Sequence, residues 1–251
     1  MAIQKTEAMV LRTQPFCSTS LIVTFFSRNF GKLRGLVKGV RQENQTRGAV
    51  YELFAHLEIL FYEKSRTDLH LVSEASILES YESLRSNLSS IAYASYFCDL
   101  VDQLSEVHDP HEKVFELLQF CLRYLPALSG EKLSRLFEIK LLNEIGWLPY
   151  LGNCLKCQDS TLQKGYFSAR QGGLLCPRCA RNFSDARPLS REALAAMRYL
   201  TRHDLEESVK FQTGPQATRE LASLMNQFFL ERLNRPLKSK LFLEKIKPAL
   251  V

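Results

Sequence analysis

Four cysteines in the second half of the chain have the spacing of ligands to a single metal ion. They are Cys154, Cys157, Cys176 and Cys179, two CxxC pairs with eighteen residues between them. Four thiolates suit tetrahedral Zn²⁺, and this spacing is typical of a structural zinc site. Because sulfur fills all four coordination positions, none is left for water or substrate. The pattern therefore predicts one structural Zn²⁺ that folds the segment and does no chemistry.

The other three cysteines are Cys17, Cys98 and Cys121, and apolar residues surround each of them. We predict that all three are buried, inert thiols. Seven cysteines, an odd number, in a chain without a signal peptide or a membrane-length apolar run argue against a disulfide framework and indicate a cytoplasmic protein.

A second group of chemically capable residues is basic and lies near the start of the chain. Residues 1–50 hold eight Lys and Arg against two Glu, a net charge of +6. Lys32, Arg34 and Lys38 share a parity, so an extended strand would project them from one face at intervals of about 7 Å, a row that can follow a phosphate backbone. The candidate nucleic-acid contacts are Arg28, Lys32, Arg34, Lys38, Arg41 and Arg47. Plain solubility is the alternative.

The elements that carry these residues follow from hydrophobic periodicity. Short apolar and β-branched clusters separated by turns predict five strands in residues 1–80, which suit an OB-type barrel. Nearby Phe25, Phe26 and Phe30 could stack on bases, but core packing is the favoured interpretation. After residue 80 the spacing becomes helical. We predict an α+β protein with an OB-fold at 1–80, a helical domain at 81–153, a four-Cys zinc element at 154–185 and further helices at 186–251.

Several residues indicate where these helices begin and end. Ser80 or Ser83 could cap the first one, and Asp109 followed by Pro110 predicts the start of another. Gly146 suits the end of a helix that begins after Ser129. Between the two CxxC pairs, the residues predict a strand and a turn.

A second basic region contains six arginines within 25 residues. It could hold a second polyanion, or it could be the solvated face of a helix capped by Ser190. Its members are Arg178, Arg181, Arg187, Arg191, Arg198 and Arg202.

The sequence lacks the motifs that the common classes of enzyme require. No Walker motif or nucleophile elbow is present, and a zinc hydrolase would need an open coordination position. We therefore predict a protein that is not an enzyme.

One long stretch resembles a known family. "FEIKLLNEIGWLPYLGNCLKCQDSTLQKGYFSARQGGLLCPRC", with the opening "TEAMVLRTQPFCSTSLIVTFFSRNFGKLRGLVKGVR" and the closing "RPLKSKLFL", is similar to the bacterial recombination-mediator family RecO over nearly the whole chain. The resemblance implies an N-terminal OB-fold and a helical domain carrying the zinc element.

The resemblance also implies a function. It predicts binding of single- and double-stranded DNA, annealing of complementary strands, and help to RecA on DNA coated with single-strand-binding protein. The implied partners are RecR and the acidic C-terminal tail of single-strand-binding protein, and the implied location is the nucleoid. The matching Lys-Gly-x-Arg segment assigns DNA contact to Lys38 and Arg41, and the preceding turn and strand assign it to Lys32 and Arg34. A zinc-ribbon RNA-binding factor of transcription or translation remains the alternative, since such a module would prefer RNA.

Overall fold

The computed structural model describes residues 2–40, 46–64, 67–160, 162 and 165–246. The strands in these ranges are β1 (Ala2–Phe16), β2 (Ser20–Ser27), β3 (Gly31–Val37), β4 (His56–Glu63), β5 (Leu69–Glu79), β6 (Gly165–Ser168), β7 (Gly173–Leu175) and β8 (Arg187–Leu189). The helices are α1 (Glu82–Arg85), α2 (Leu88–Leu104), α3 (Glu112–Tyr124), α4 (Gly130–Glu144), α5 (Pro177–Ala180), α6 (Arg191–Arg202), α7 (Leu205–Lys210), α8 (Pro215–Leu233) and α9 (Lys238–Ile246), with a 3₁₀ helix at Thr46–Tyr51.

The chain forms two compact units. Unit 1 comprises Met1–Gly130 together with Leu237–Val251, and unit 2 comprises Glu131–Pro236. Unit 1 is therefore built from two separate stretches of sequence, and all of unit 2 lies between them along the chain.

Unit 1 contains a closed five-stranded barrel in the order β1-β2-β3-β5-β4. Neighbouring strands run antiparallel except β3 and β5, which are parallel. Val10, Phe25, Leu57 and Phe61 belong to its core and are at most 1% exposed. The strand number and closure are those of an OB-like barrel, which confirms the predicted N-terminal fold.

A β-bulge at Leu11 changes which side chains of β1 face outward. Val10 lies opposite Phe25, and both point into the barrel core. The register then shifts, so that Arg12 lies opposite Thr24. Two residues after Val10, Arg12 would point inward in a regular strand, but the extra residue turns it outward, and it is exposed.

The three phenylalanines near β2 and β3 are packing residues, as the favoured interpretation predicted. Phe25 and Phe26 are fully buried. Phe30 packs edge-on against Phe61, with ring centroids 5.3 Å apart.

The helices of unit 1 begin at other residues than predicted. Asn87 caps α2 by accepting a hydrogen bond from the Ser89 N–H at 2.8 Å, and the separate α1 has no side-chain cap, so the expected caps at Ser80 or Ser83 are wrong. The expected start of α3 at Asp109 and Pro110 is wrong as well, since α3 begins at Glu112.

The barrel explains why Asp109 does not cap α3. The His108 N–H donates to the Lys32 carbonyl at 3.3 Å, which holds the preceding loop against the start of β3. Gly31 there has φ +63, and any Cβ on it would overlap the Asp109 backbone. Tertiary contact with the barrel therefore fixes the loop, and Asp109 instead contacts His111 at 2.9 Å.

The last described helix, α9, returns to unit 1 and packs on α2. The Ser239 hydroxyl donates to the Asp99 carboxylate at 2.5 Å. The Lys240 ammonium lies 4.7 Å from the centroid of the Tyr96 ring. Leu243 is buried at 1% exposure.

Unit 2 joins helices to a small sheet in the order β7-β6-β8. The strand β6 and the following turn confirm the prediction made for the segment between the two CxxC pairs. The helix α4 ends as expected before Gly146, which has φ +73, and the Trp147 N–H donates to the Leu142 carbonyl at 2.8 Å. Phe167 on β6 packs against Phe228 on α8, with ring centroids 6.2 Å apart.

Candidate metal centre and nucleic-acid interface

The four predicted metal ligands come together in unit 2. The sulfur atoms of Cys154, Cys157, Cys176 and Cys179 all lie within 4.8 Å of one another. Those of Cys157 and Cys176 are 3.6 Å apart. Tetrahedral zinc with Zn–S bonds of 2.3 Å would place its sulfurs about 3.8 Å apart, so the cluster has the size that one zinc ion requires.

Backbone hydrogen bonds shape both cysteine loops. The Gln158 N–H donates to the Cys154 carbonyl at 2.9 Å, which closes the first loop. The Cys179 N–H donates to the Cys176 sulfur at 3.4 Å across the second, where Pro177 begins the short helix α5. The Cys176 N–H also donates to the Cys154 sulfur at 3.3 Å and joins the two loops. Such N–H groups stabilise sulfur in its thiolate form.

The pKa values of the clustered thiols also favour a bound cation. Burial alone would raise the pKa of Cys154, but the N–H groups of Cys157, Cys176 and Lys156 lower it to about 6. Contact with the Cys176 sulfur instead raises the pKa of Cys179 to about 12. Four adjacent thiols cannot all lose their protons while the negative charge is uncompensated, and a divalent metal supplies that compensation.

The other three cysteines belong to unit 1 and are not members of this cluster. Cys98 and Cys121 are buried at 2% and 0% exposure, as predicted, and burial raises the pKa of both thiols. The prediction that Cys17 is buried is wrong. It lies exposed in the turn between β1 and β2 with φ 52, so its apolar neighbours in sequence belong to the end of a strand and not to the core.

The predicted basic row lies on β3 with the expected parity. Leu33, Gly35 and Val37 are buried, while Arg34 between them is exposed and Lys32 is partly so. The even-numbered side chains therefore face outward, as the sequence indicated. The structure nevertheless divides the row, because helices cover its first part.

Arg28 and Lys32 join the barrel to helices of unit 1. The Arg28 guanidinium contacts Glu7 at 3.4 Å and Glu112 at 2.9 Å, and it lies 4.8 Å from the centroid of the Phe115 ring. The Lys32 ammonium donates to the Asp102 carbonyl at 2.5 Å, near the C-terminal end of α2. Both cations therefore have protein partners that hold the helices on the barrel.

This geometry predicts that Arg28→Met destabilises the fold. Hydrogen bonds to charged groups contribute about 1.5–3 kcal/mol each, and the substitution leaves Glu7 and Glu112 without their cation. We expect the free energy of unfolding to fall by about 2 kcal/mol, measured by urea denaturation. Arg34→Met is the matched control, since Arg34 is exposed on the same sheet. Equal stability of the two variants would contradict the structural role of Arg28.

Arg34 and Lys38 are the exposed members of the predicted set. Arg34 lies in β3, and Lys38 follows directly after its end. Arg41 lies outside the described residues. Arg47 belongs to the 3₁₀ helix, but its side chain lies outside the described part of the structure.

One cation beside this row was missed by the sequence reasoning. Arg12 lies opposite Thr24, and Thr24 lies opposite Arg34, so one ladder of three strands carries two exposed arginines. Opposed residues in a sheet project to the same face. The two arginines therefore stand about 10 Å apart across the strands. Only the bulge at Leu11 brings Arg12 to this face, and no sequence signal marks that bulge.

The arginines of unit 2 lie mainly on the surface. Ser190 caps α6 as predicted, accepting from the Ala193 N–H at 3.2 Å. Arg198 instead holds a loop, since it donates to the Leu151 carbonyl at 2.6 and 3.0 Å. The exposed members of the group are Arg178, Arg181, Arg187, Arg191 and Arg202.

A shallow hollow of about 390 Å³ lies along α6. Leu194 and Tyr199 supply apolar walls, and Arg191 and Arg202 supply cations. The Tyr199 ring is stacked between His203 and Phe211, with centroid distances of 3.7 and 4.2 Å. Such a site combines an apolar floor with positive charge.

Of the helices in the described ranges, none has the length and apolar character that crossing a bilayer requires.

His108 and His111 do not belong to a group of possible metal ligands. Within the described ranges, the four cysteines form the one such group.

Comparison with known proteins gives a consistent result over nearly the whole chain. Residues 1–81 match the family model "Recombination protein O N terminal", and residues 85–241 match "Recombination protein O C terminal". The DNA repair protein RecO of Symbiobacterium thermophilum is 31% identical over 254 residues, covering 99% of this chain and 100% of the relative. The DNA repair protein RecO of Syntrophus aciditrophicus is 32% identical over 250 residues, covering 98% and 96%. The DNA repair protein RecO of Bacillus pumilus is 29% identical over 243 residues, covering 96% and 94%.

Proposed function

The chain belongs to the RecO family of DNA repair proteins, and we propose that it is a recombination mediator that acts without catalysis. In this proposal it binds single- and double-stranded DNA, anneals complementary strands and helps RecA to load onto DNA coated with single-strand-binding protein. Its site of action would then be the nucleoid.

The observation that best supports this function is the exposed basic part of the outer barrel face formed by β1, β2 and β3. Arg12, Arg34 and Lys38 present three cations there, and none of them shows an ion pair in the described ranges. Unpaired cations can neutralise phosphates and release counterions, which gives binding that depends on charge and little on sequence. A mediator that acts on any damaged sequence needs binding of this kind.

Annealing requires a second strand to be held as well. The exposed arginines of unit 2 supply further positive charge that could hold it. The hollow on α6, with Arg191 and Arg202 beside Leu194, suits the acidic C-terminal tail of single-strand-binding protein. RecR is the further partner in this proposal, and RecA acts downstream.

Zinc in this proposal is structural. Cys154, Cys157, Cys176 and Cys179 would bind one Zn²⁺ and leave it no open coordination position. The ion would hold the two cysteine loops together, beside a sheet whose strands have only three or four residues. No step of the proposed function passes through the metal.

The proposed function is tested by strand annealing. Complementary DNA oligonucleotides coated with single-strand-binding protein are mixed with the protein at two salt concentrations, and duplex formation is followed by fluorescence energy transfer. We expect fast annealing that weakens as salt rises, because counterion release drives the binding. RNA oligonucleotides of the same sequence form the second arm. If the protein does not anneal DNA but binds RNA tightly, the result would instead support the alternative function, an RNA-binding factor of transcription or translation.

A further inference from the structure

The end of β1 adds an aromatic side chain to the exposed basic face. Beyond the bulge, Arg12 lies opposite Thr24, Gln14 lies opposite Ile22, and Phe16 lies opposite Ser20. Thr13, between the outward residues, lies opposite the core residue Val23. Arg12, Gln14 and Phe16 therefore share the outward side of the strand, and each of them is exposed.

In the described ranges, the helix contacts of β2 and β3 lie at the end away from Phe16, and the end near Phe16 is the open end. At the other end of β2, Phe26 packs against Phe115 of α3 with ring centroids 6.5 Å apart. At the same end of β3, Lys32 contacts Asp102 of α2. Ile22 and Leu36 lie opposite each other toward the open end and keep part of their surface accessible. The open half thus has an aliphatic floor, with Arg12 and Arg34 beside it.

Phe16 differs from the other phenylalanines of the barrel. Phe25, Phe26 and Phe61 are at most 1% exposed and belong to packed interiors. Phe16 is 41% exposed at the end of β1, next to the turn that contains Cys17. A phenyl ring that keeps so much surface in water gains by covering it with another flat apolar surface.

We propose that Phe16 stacks on an unpaired base while Arg12 and Arg34 contact the phosphates of the same strand, so that this end of the face distinguishes single strands from duplex. The inference rests on the proposed DNA-binding function and deepens it. The occupant is a single-stranded polynucleotide because the patch combines cations with one accessible ring, and base stacking on aromatic side chains is tolerant of sequence.

The physical basis of the discrimination is the accessibility of base faces. In a duplex both faces of each internal base are covered by its neighbours, and only the edges reach the grooves. Stacking on Phe16 would require the duplex to open, which is unfavourable. Phosphates, in contrast, are present in both forms. Arg12 should therefore contribute to binding of both, and Phe16 only to binding of single strands.

The test compares Phe16→Ala with Phe242→Ala in the full chain. Phe242 is the matched control, because it is a phenylalanine of similar exposure, 44%, on α9. Affinities are measured by fluorescence anisotropy for a thymine oligonucleotide, the same backbone with abasic sites, and a duplex. We expect Phe16→Ala to weaken binding of the thymine strand about tenfold, with less than about twofold change for the abasic strand and the duplex. Phe16→Trp should retain the wild-type affinity.

Arg12→Gln provides the complementary measurement. It should weaken binding to all three ligands and lower the slope of log affinity against log salt by about 0.7 on single strands. Unchanged melting temperatures show that the variants are folded.

Three outcomes overturn the inference. One is a Phe16→Ala variant that binds thymine strands as wild type does, and another is equal weakening for single strand, abasic strand and duplex. The third is loss of binding to a protein partner while all DNA affinities stay the same, which would make the patch a protein contact. Failure of folded wild-type protein to bind any DNA would instead remove the proposed function, and the inference with it.

Discussion

Replacement of Cys154 and Cys176 by serine is expected to abolish zinc binding and to unfold the cysteine element of unit 2. Both side chains are buried, at 0% and 5% exposure, so the structure offers little room for water to replace the lost sulfurs. Structural zinc contributes about 10–16 kcal/mol of apparent binding free energy in small zinc domains, which is comparable to the whole stability of an ordinary domain, about 5–15 kcal/mol. Elemental analysis should give about one zinc per wild-type chain and none in the double variant.

The local consequence is measured by limited proteolysis. Chelation of the wild type, or the double substitution, should expose cleavage sites between residues 154 and 185 that the metal-loaded protein protects. Cys17→Ser is the matched control, because Cys17 is exposed and belongs to unit 1, whereas the four-cysteine cluster belongs to unit 2. It should retain the metal and the protease resistance. Full zinc content in the double variant, or unchanged digestion after chelation, would show that these sulfurs do not bind a structural ion.

Reversal of both exposed cations of the β3 row is expected to have the largest effect on DNA affinity. Arg34→Glu/Lys38→Glu removes two candidate phosphate contacts and places two like charges beside the phosphates. Hydrogen bonds to charged groups contribute about 1.5–3 kcal/mol each, so the loss at physiological salt should be about a hundredfold or more. The slope of log affinity against log salt should fall by about 1.4 on single strands, because two phosphate contacts are lost.

The control for this variant is Lys210→Glu/Arg219→Glu. It changes the net charge by the same amount, at two exposed positions of unit 2 outside the arginine group. Lys32 is left intact because its contact with Asp102 supports the fold. Equal weakening by both variants would mean that binding depends on overall charge. Unchanged DNA affinity in Arg34→Glu/Lys38→Glu would show that DNA binds to another surface of the protein.

Local patterns in the sequence correctly predicted the features that local geometry determines. The period of two in β3 gave the outward parity of Arg34, because side chains of a strand alternate whatever surrounds it. The two CxxC pairs predicted the cluster, because sulfurs three residues apart within a tight loop already point to one centre. The buried state of Cys98 followed in the same way from its apolar helix.

Features that depend on distant residues were not predictable in this way. Arg28 and Lys32 resemble the other cations in sequence, yet their partners Glu112 and Asp102 lie 84 and 70 residues away. The bulge at Leu11 carries no Gly or Pro, and it changes the direction of Arg12 and Phe16 by inserting one residue into a regular strand. The start of α3 depends on a contact between its preceding loop and Gly31.

The return of α9 to α2 has a consequence for synthesis of the protein. The ribosome produces the barrel and α2 first, then the 106 residues of Glu131–Pro236, and only afterwards α9. The residues of α2 that contact Ser239 and Lys240 therefore lack these contacts in the nascent chain until unit 2 has been translated. A chain released early would contain every DNA-contacting residue proposed on the barrel, but it would lack the helix that completes unit 1. Such fragments are expected to be substrates for chaperones and proteases, and not to be active half-proteins.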